Sequence, residues 1–283
     1  MTHSLPTFLF IGPDKSGSTW LYEVLKAHPE VFLPAVKELF FFDRFYDRGI
    51  DWYASKFRHA TSAHQAAGEI CHDYLFSAIA AERIWQELPK AKLIVMVRNP
   101  VDRTFSHWRY RRRSGDTKYS FEDDLRNCPA IFDHSCYSRH LEPYFELFPS
   151  DQILILEFSD LEHDPEGLAA RVCDFIGADR TKLSARDVLV RHNPASTARK
   201  PALVAFMRRV GNFLRSLGFE ALVGRLKSSP TFRALVFQPV NNNNRPELLP
   251  TTRARLNREF EQYNKELETM LGKSIRELWD TKP

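Results

Sequence analysis

The chain has 283 residues, of which 43% are hydrophobic and 27% charged, with only 11 glycines; this is a globular composition, and it excludes collagen-like, low-complexity and disordered chains. Forty Lys and Arg against 36 Asp and Glu leave a net charge of +4, too little for a general nucleic-acid coat, and no nucleic-acid partner is expected. The charge is placed rather than spread. Seven basic and two acidic residues lie between Arg98 and Lys118, and eight basic residues with only Glu220 lie between Arg199 and Arg233.

In chain order, Thr7–Ile11 is a short apolar run that stops at Gly12-Pro13 and is followed by a polar turn and then by Thr19–Lys26, a strand, loop and helix. His28-Pro29 closes the helix, because proline disfavours helical geometry in the residue before it, and a second apolar stretch, Val31–Leu33, follows. Lys92–Val97 has the continuous apolar character of a strand buried on both faces; it ends at Arg98-Asn-Pro100, with a helix starting near Val101. Leu141, Tyr144, Phe145 and Phe148 mark an amphipathic helix before a third central strand, Ile153–Phe158. Strands alternating with helices predict an α/β fold, a parallel sheet flanked by helices. Past Gly177, Leu203, Met207, Val210, Leu214 and Leu217 share one helical face of a basic stretch that is expected to pack on the domain, with a lid or docking surface as the alternative. Asn241–Asn244 marks an exposed loop, and Leu256, Phe260, Tyr263, Leu267 and Leu271 line one face of a final helix from about Thr251.

One domain over 1–283 is therefore expected: an α/β core over about 1–190, a basic loop and helical insertion over about 191–250, and a C-terminal helix over about 251–283. Cys71, Cys128, Cys136 and Cys173 form no C-x-x-C pair and predict reduced, packed thiols with neither disulfide nor zinc. No run approaches the roughly 18 to 20 apolar residues of a membrane span, and the N-terminus enters a strand rather than a signal-like segment. A cytoplasmic protein without a membrane span is expected. Oligomeric state is not legible.

The chemistry begins at Gly12-Pro-Asp-Lys-Ser-Gly-Ser-Thr-Trp20. A loop of this kind at a helix N-terminus aims backbone N–H groups and the positive end of the helix dipole at one point, and Lys15 with three hydroxyls adds donors, so the point suits a phosphate. It is not a nucleotide-triphosphatase loop, because Lys15 precedes Gly17 where that motif places Lys-[Ser/Thr] after the second glycine. Nor does the strand ending at Val97 supply an aspartate for Mg²⁺; it is followed by Arg98, which binds anions. Arg98, with Ser106 about two turns into the next helix, makes a second candidate phosphate site at a second strand end.

These residues resemble the sulfotransferases that use 3′-phosphoadenosine 5′-phosphosulfate (PAPS). Lys15-Ser-Gly-Ser-Thr-Trp20 is similar to their 5′-phosphosulfate loop, and Val97-Arg-Asn-Pro-Val-Asp-Arg103 with Ser106 to their 3′-phosphate motif. Lys37-Glu-Leu-Phe-Phe-Phe-Asp43, Gly68-Glu69 with Tyr74, and Leu271-Gly272 with Leu278-Trp279 extend the likeness to the branch of heparan sulfate and bacterial sulfotransferases. The resemblance implies a P-loop-NTPase-like sheet, PAPS as co-substrate with PAP as product, no metal, and in-line transfer to an acceptor hydroxyl or, less readily, an amine. It implies that Lys15 neutralises the leaving oxygen, that Ser16, Gly17, Ser18 and Thr19 hold the 5′-phosphate, and that Arg98 and Ser106 hold the 3′-phosphate. It maps the general base onto Glu38, whose aromatic neighbours Phe40–Phe42 are expected to strip water from it; His72 is the reserve base, and Glu69 a residue that orients a catalytic group or acceptor. Arg199 and Lys200 are expected over the nucleotide, Tyr137 is expected to line the site, and Trp20 is either an adenine neighbour or a core residue.

Two other functions are weighed: a nucleotide kinase of related fold, and a non-catalytic anion- or glycan-binding module using Arg109–Arg113, a run otherwise read as a solvated helix face. The acceptor itself is open among glycan, lipid, polyketide and peptide, and the cytoplasmic reading favours a bacterial biosynthetic enzyme.

Overall fold

The computed structural model of the chain describes residues 5–190, 196–198, 210–211, 237–239, 246–274 and 279. In chain order these form β1 (Phe8–Gly12), α1 (Ser18–Ala27), β2 (Val31–Phe32), α2 (Phe41–Arg44), α3 (Ile50–Ala54), β3 (Ala66–Ile70), α4 (Ala78–Glu87) and β4 (Lys92–Val97). There follow α5 (Pro100–Ser114), α6 (Phe121–Asn127), α7 (Ala130–Asp133), α8 (Tyr137–Leu147), β5 (Ile153–Glu157), α9 (Phe158–His163), α10 (Pro165–Ile176) and α11 (Ala185–Leu189). After the short strands β6 (Ser196–Ala198) and β7 (Phe237–Pro239), the long helix α12 (Pro250–Leu271) closes the order.

The chain divides into two compact units, one of residues 1–100, 136–192 and 260–283 and one of residues 101–135 and 193–259. The third boundary in chain order falls between residues 192 and 193. The segment 101–135, which the sequence reading left inside the α/β core, groups instead with the second unit.

The first unit is built on a five-stranded sheet of order β2-β3-β1-β4-β5, with every pairing parallel. Alternate side chains of a strand point to opposite faces, and the central strands obey this period. Leu9, Ile11, Leu93, Val95 and Val97 join one buried cluster with Phe41, Phe42 and Tyr53, while Phe8, Phe10, Ile94 and Met96 join another with Leu21 and Leu25 of α1 and Val172 of α10. Both faces are therefore covered, which explains the unbroken apolar runs of β1 and β4. β3, Ala-Ala-Gly-Glu-Ile, has no such run, yet it pairs with β1 in register Phe8 to Gly68. The reason lies at Gly68: a Cβ there would stand 2.2 Å from the Phe8 ring, so the small residue makes room for the large one on the neighbouring strand. Because all strands run the same way, the turns after β1, β3 and β4 emerge at one edge of the sheet, the edge where open α/β sheets bind ligands.

The second unit contains α6, α7, nearly all of α5 and the first part of α12, with β6 antiparallel to β7. Phe105 and Trp108 of α5 stack at 5.3 Å, and Phe121 of α6 meets them edge-on and tilted. Arg103 is fully buried and donates to the Ile131 carbonyl and the Ser135 hydroxyl. The run Arg109–Arg113 is only partly a solvated face. Arg111 Nε pairs with the buried Asp124 at 3.2 Å, and Arg112 lies over the Trp108 ring. The basic stretch 202–217, apart from Val210 and Gly211, lies outside the described residues.

Cys71, Cys136 and Cys173 are buried and all four cysteines are free. Among the described residues no helix is long and apolar enough to cross a membrane. Overpacking at a site as tight as Gly68 costs about 1–3 kcal/mol. Gly68→Ala is accordingly expected to lower the urea midpoint with an unchanged m-value; an unchanged midpoint would mean that Phe8 moves aside freely.

Candidate active site

The loop after β1 reaches α1 through two left-handed residues, Lys15 at φ 63° and Gly17 at φ 86°. Gly17 is the N-cap and accepts no side-chain hydrogen bond to the helix, so the amides of the first turn are left without a side-chain cap. The glycine is demanded twice, by its φ and by close packing: a Cβ would lie 2.9 Å from Met96 Sδ and 3.0 Å from a Leu161 methyl. Ser16 is fully buried, and its Oγ has no hydrogen-bond partner among the described residues. Buried hydroxyls are nearly always bonded, so this loop has the unsatisfied donors that an anion would complete.

Arg98, immediately after β4, donates from Nη1 to the Lys15 carbonyl at 3.1 Å and lies over the Phe158 ring at 4.3 Å. The Tyr137 hydroxyl donates to the Arg98 carbonyl at 2.8 Å. Tyr137 is buried and thus fixes the backbone that carries Arg98. Trp20 takes the second of the two places open to it: it is a core residue, its indole N–H donating to the Val188 carbonyl at 2.8 Å. Ser106 falls in the second unit, on α5, and Arg199 and Lys200 lie outside the described residues.

Glu38 follows β2 on a strained turn. Both Glu38 and Phe40 are left-handed, at φ 65° and 54°, a conformation costly for residues with a Cβ and concentrated at functional sites. The turn is held to β3 by Glu38 N–H to the Ile70 carbonyl and Leu39 N–H to Glu69 Oε1. Lys37 Nζ donates to Ser18 Oγ at 2.9 Å and approaches Thr19 Oγ1 at 3.4 Å while standing 3.5 Å from Glu38 Oε1. On the other side His72 Nε2 is 3.2 Å from the same Glu38 oxygen. The two residues read as alternative bases therefore touch. The His72 Nδ1 meets Asp73 Oδ1 at 2.5 Å, and Arg44 is ion-paired to Asp73.

The environment of Glu38 differs from the aromatic one expected. Phe41 and Phe42 are turned into the core, Phe41 stacking on Tyr53 at 4.5 Å, and Phe40 carries the Arg44 guanidinium over its face. Two cations stand beside the carboxylate, Lys37 at 3.5 Å and His72 at 3.2 Å. Burial disfavours the charge on His72, but Glu38 and then Asp73 outweigh it and push its pKa up to about 10. A carboxylate at each ring nitrogen favours the imidazolium form.

A sulfotransferase-domain family model matches residues 5–199. The chain belongs to the sulfotransferase family. The membrane-associated sulfotransferase kil1 of Dictyostelium discoideum is 35% identical over 152 residues, covering 51% of this chain and 32% of that protein. The mouse heparan sulfate glucosamine 3-O-sulfotransferase 3B1 is 35% identical over 185 residues, covering 62% of this chain and 47% of that one. The match thus spans less than half the length of these relatives. The crystal structure of a sulfotransferase from Alicyclobacillus acidocaldarius superposes with a TM-score of 0.59 at 24% identity, over 78% of this chain and 96% of that one. The parallel sheet flanked by helices is this P-loop-NTPase-like fold.

Beneath the turn of Glu38, Glu69 serves as a pedestal. It is buried and receives the Tyr53 hydroxyl at 2.7 Å, the Tyr74 hydroxyl at 3.0 Å and the Leu39 N–H, while Tyr74 also accepts from Phe41 N–H. Its carboxylate supports the turn that carries Glu38. Sequence reasoning missed three polar neighbours of Glu38 and His72, namely Lys37, Asp73 and Arg44, although Lys37 and Asp73 stood beside the residues it named.

Burial, opposed by the three donors, raises the Glu69 pKa from 4.5 to about 7, and burial raises that of Asp43 from 3.8 to about 6. Both groups bind protons more tightly folded than unfolded, so their contribution to stability is present below the unfolded values and is lost as pH rises through the folded ones. The urea midpoint is expected to fall between pH 4.5 and 7, and Glu69→Gln to flatten that slope. An equally steep slope in the variant would place its origin elsewhere.

Proposed function

We propose that this protein transfers the sulfuryl group of PAPS to an acceptor hydroxyl, or less readily an amine, with Glu38 as general base. One observation carries the reading furthest. Lys37 bridges the hydroxyls of the anion loop and the carboxylate of Glu38, so a phosphate-binding loop and a proton acceptor lie within the reach of a single side chain. Ser16, Gly17, Ser18 and Thr19 hold the 5′-phosphate of the co-substrate, with the orphaned Ser16 hydroxyl and the uncapped amides of α1 as its donors. Arg98 holds the 3′-phosphate, and for Ser106 the assignment rests on the sequence motif. For Arg199 and Lys200 the assignment rests on sequence alone.

Transfer then needs positioning and charge management rather than a metal. Glu38 takes the proton of the acceptor hydroxyl as its oxygen bonds to sulfur. The electron pair of the breaking S–O bond goes to the 5′-phosphate oxygen, where Lys15 neutralises it. His72, already protonated, is a donor to Glu38 and not the base. The nucleotide-kinase alternative lacks both the lysine after the second glycine and an aspartate after β4.

Relatives whose names specify an acceptor include the heparan sulfate glucosamine 3-O-sulfotransferases and the N-deacetylase/N-sulfotransferases, which accords with a hydroxyl or amine acceptor. A glycan is one of four acceptor classes kept in this proposal, beside lipid, polyketide and peptide. The cytoplasmic, bacterial setting read from the sequence is retained as part of it.

Calorimetry with PAP in the presence of EDTA tests the donor assignment. Tight binding is expected, weakened about 10- to 100-fold by Lys15→Ala or Arg98→Ala, the scale of a lost charge-assisted hydrogen bond. No binding by the wild type, or binding of ATP that depends on Mg²⁺ instead, would overturn it. Glu38→Gln is expected to keep PAP affinity and abolish transfer; retained turnover would move the base elsewhere.

A further inference from the structure

We propose that Asp73 and Arg44 are positioning residues for the base: Asp73 fixes the His72 ring from its Nδ1 side so that Nε2–H is presented to Glu38, and Arg44 fixes Asp73. The inference rests on the reading of Glu38 as general base. It is carried by a chain of contacts that runs Arg44 to Asp73, Asp73 Oδ1 to His72 Nδ1 at 2.5 Å, and His72 Nε2 to Glu38 Oε1 at 3.2 Å.

An imidazole that meets a carboxylate at both nitrogens donates from both, and only the protonated ring has two N–H groups. Glu38 alone gives His72 one reason to be charged; Asp73 gives the second, and it persists when the first disappears. During transfer Glu38 takes the acceptor's proton and becomes neutral. His72 then loses one of its two anionic neighbours but keeps the other, so the ring retains its proton and its hydrogen bond to Glu38. The proton on Glu38 leaves to water or buffer. In this arrangement Asp73 decides which of two touching groups serves as base.

Arg44 is placed to hold Asp73. It stands at the end of α2, its guanidinium lies 4.1 Å over the Phe40 ring, and it pairs with Asp43 at 3.1 Å as well as with Asp73. The left-handed turn at Glu38 and Phe40 therefore returns the chain so that a cation from its far side reaches the carboxylate behind His72. The titratable groups around the ring are Glu38 and Asp73 in contact, Lys37 and Arg44 through those two, and the buried Asp43 and Cys71 nearby.

The test is NMR titration of the His72 ring, with Asp73→Asn as the variant, since it keeps the shape and removes the charge. Wild-type His72 is expected to stay protonated until about pH 10, and the variant to titrate at least one unit lower. In parallel, the hydrolysis of PAPS to PAP and sulfate, with water as acceptor, is expected to lose about tenfold in kcat while KM for PAPS and the affinity for PAP stay within twofold. Arg44→Gln, at an exposed position, is expected to shift both readouts the same way by a smaller amount, and it carries the test if Asp73→Asn does not fold. An unchanged His72 titration in both variants overturns the proposal, whatever happens to the rate, and so does a shifted titration with an unchanged rate. Failure of the wild type to bind PAP overturns the functional reading instead, because the His72 titration needs no nucleotide.

Discussion

The close approach of β1 to the turn after β3 sets the geometry on which the site depends. At Gly12, the last residue of β1, a Cβ would stand 2.5 Å from the His72 carbonyl and 3.0 Å from Leu75 Cβ, and φ is +140°. Backbone packs on backbone there, with Cys71 N–H donating to the Phe10 carbonyl just before. Only glycine permits this, and the consequence is functional. The anion loop that begins after Gly12 and the turn that carries His72 leave the sheet side by side, and Lys37 and Glu38 reach both from the third strand end, that of β2.

Electrostatics then divide the labour between carboxylates. Glu69 is buried among two tyrosine hydroxyls and a backbone amide, is raised toward neutrality, and supports the chain. Glu38 and Asp73 flank His72 and are less enclosed, with side chains about a fifth to a quarter exposed. A buried charge is expensive unless paired and hydrogen-bonded, and each charge in this cluster has a partner of the other sign. The imidazolium is the hub. Two anions face it and together outweigh burial in raising its pKa, and in the proposed reading this leaves Glu38 as the proton acceptor.

Much of this was legible in the chain. β1 and β4 are apolar runs buried on both faces, whereas β5, read as a central strand, is a partly buried edge strand; the helices α1, α5 and α12 begin within a residue or so of their expected starts. Residues on two phosphate-type motifs led to the family, and the structure brings Arg98 against Lys15. β3 escaped notice because its identity is set by the partner strand: Gly68 is there for the Phe8 ring, and no pattern within Ala66–Ile70 reveals it. The surroundings of Glu38 were misread: Phe41 and Phe42 face the core, while the adjacent Lys37 and the His72 of the turn after β3 stand beside the carboxylate. Arg103 counted toward a local positive field and is in fact sealed inside the second unit. Net charge along a sequence does not distinguish a guanidinium that greets a ligand from one that ties a helix to a carbonyl.

In the proposed reading the loop between β1 and α1 seats a 5′-phosphate, and Arg98 holds the 3′-phosphate of the same nucleotide. A crystal structure of the protein grown with PAP measures this directly. The 5′-phosphate is expected within hydrogen-bond distance of the Ser16–Thr19 amides and Lys15 Nζ, with the 3′-phosphate on the Arg98 guanidinium. A nucleotide bound elsewhere, or one whose phosphates leave Ser16 and Arg98 uncontacted, would contradict it.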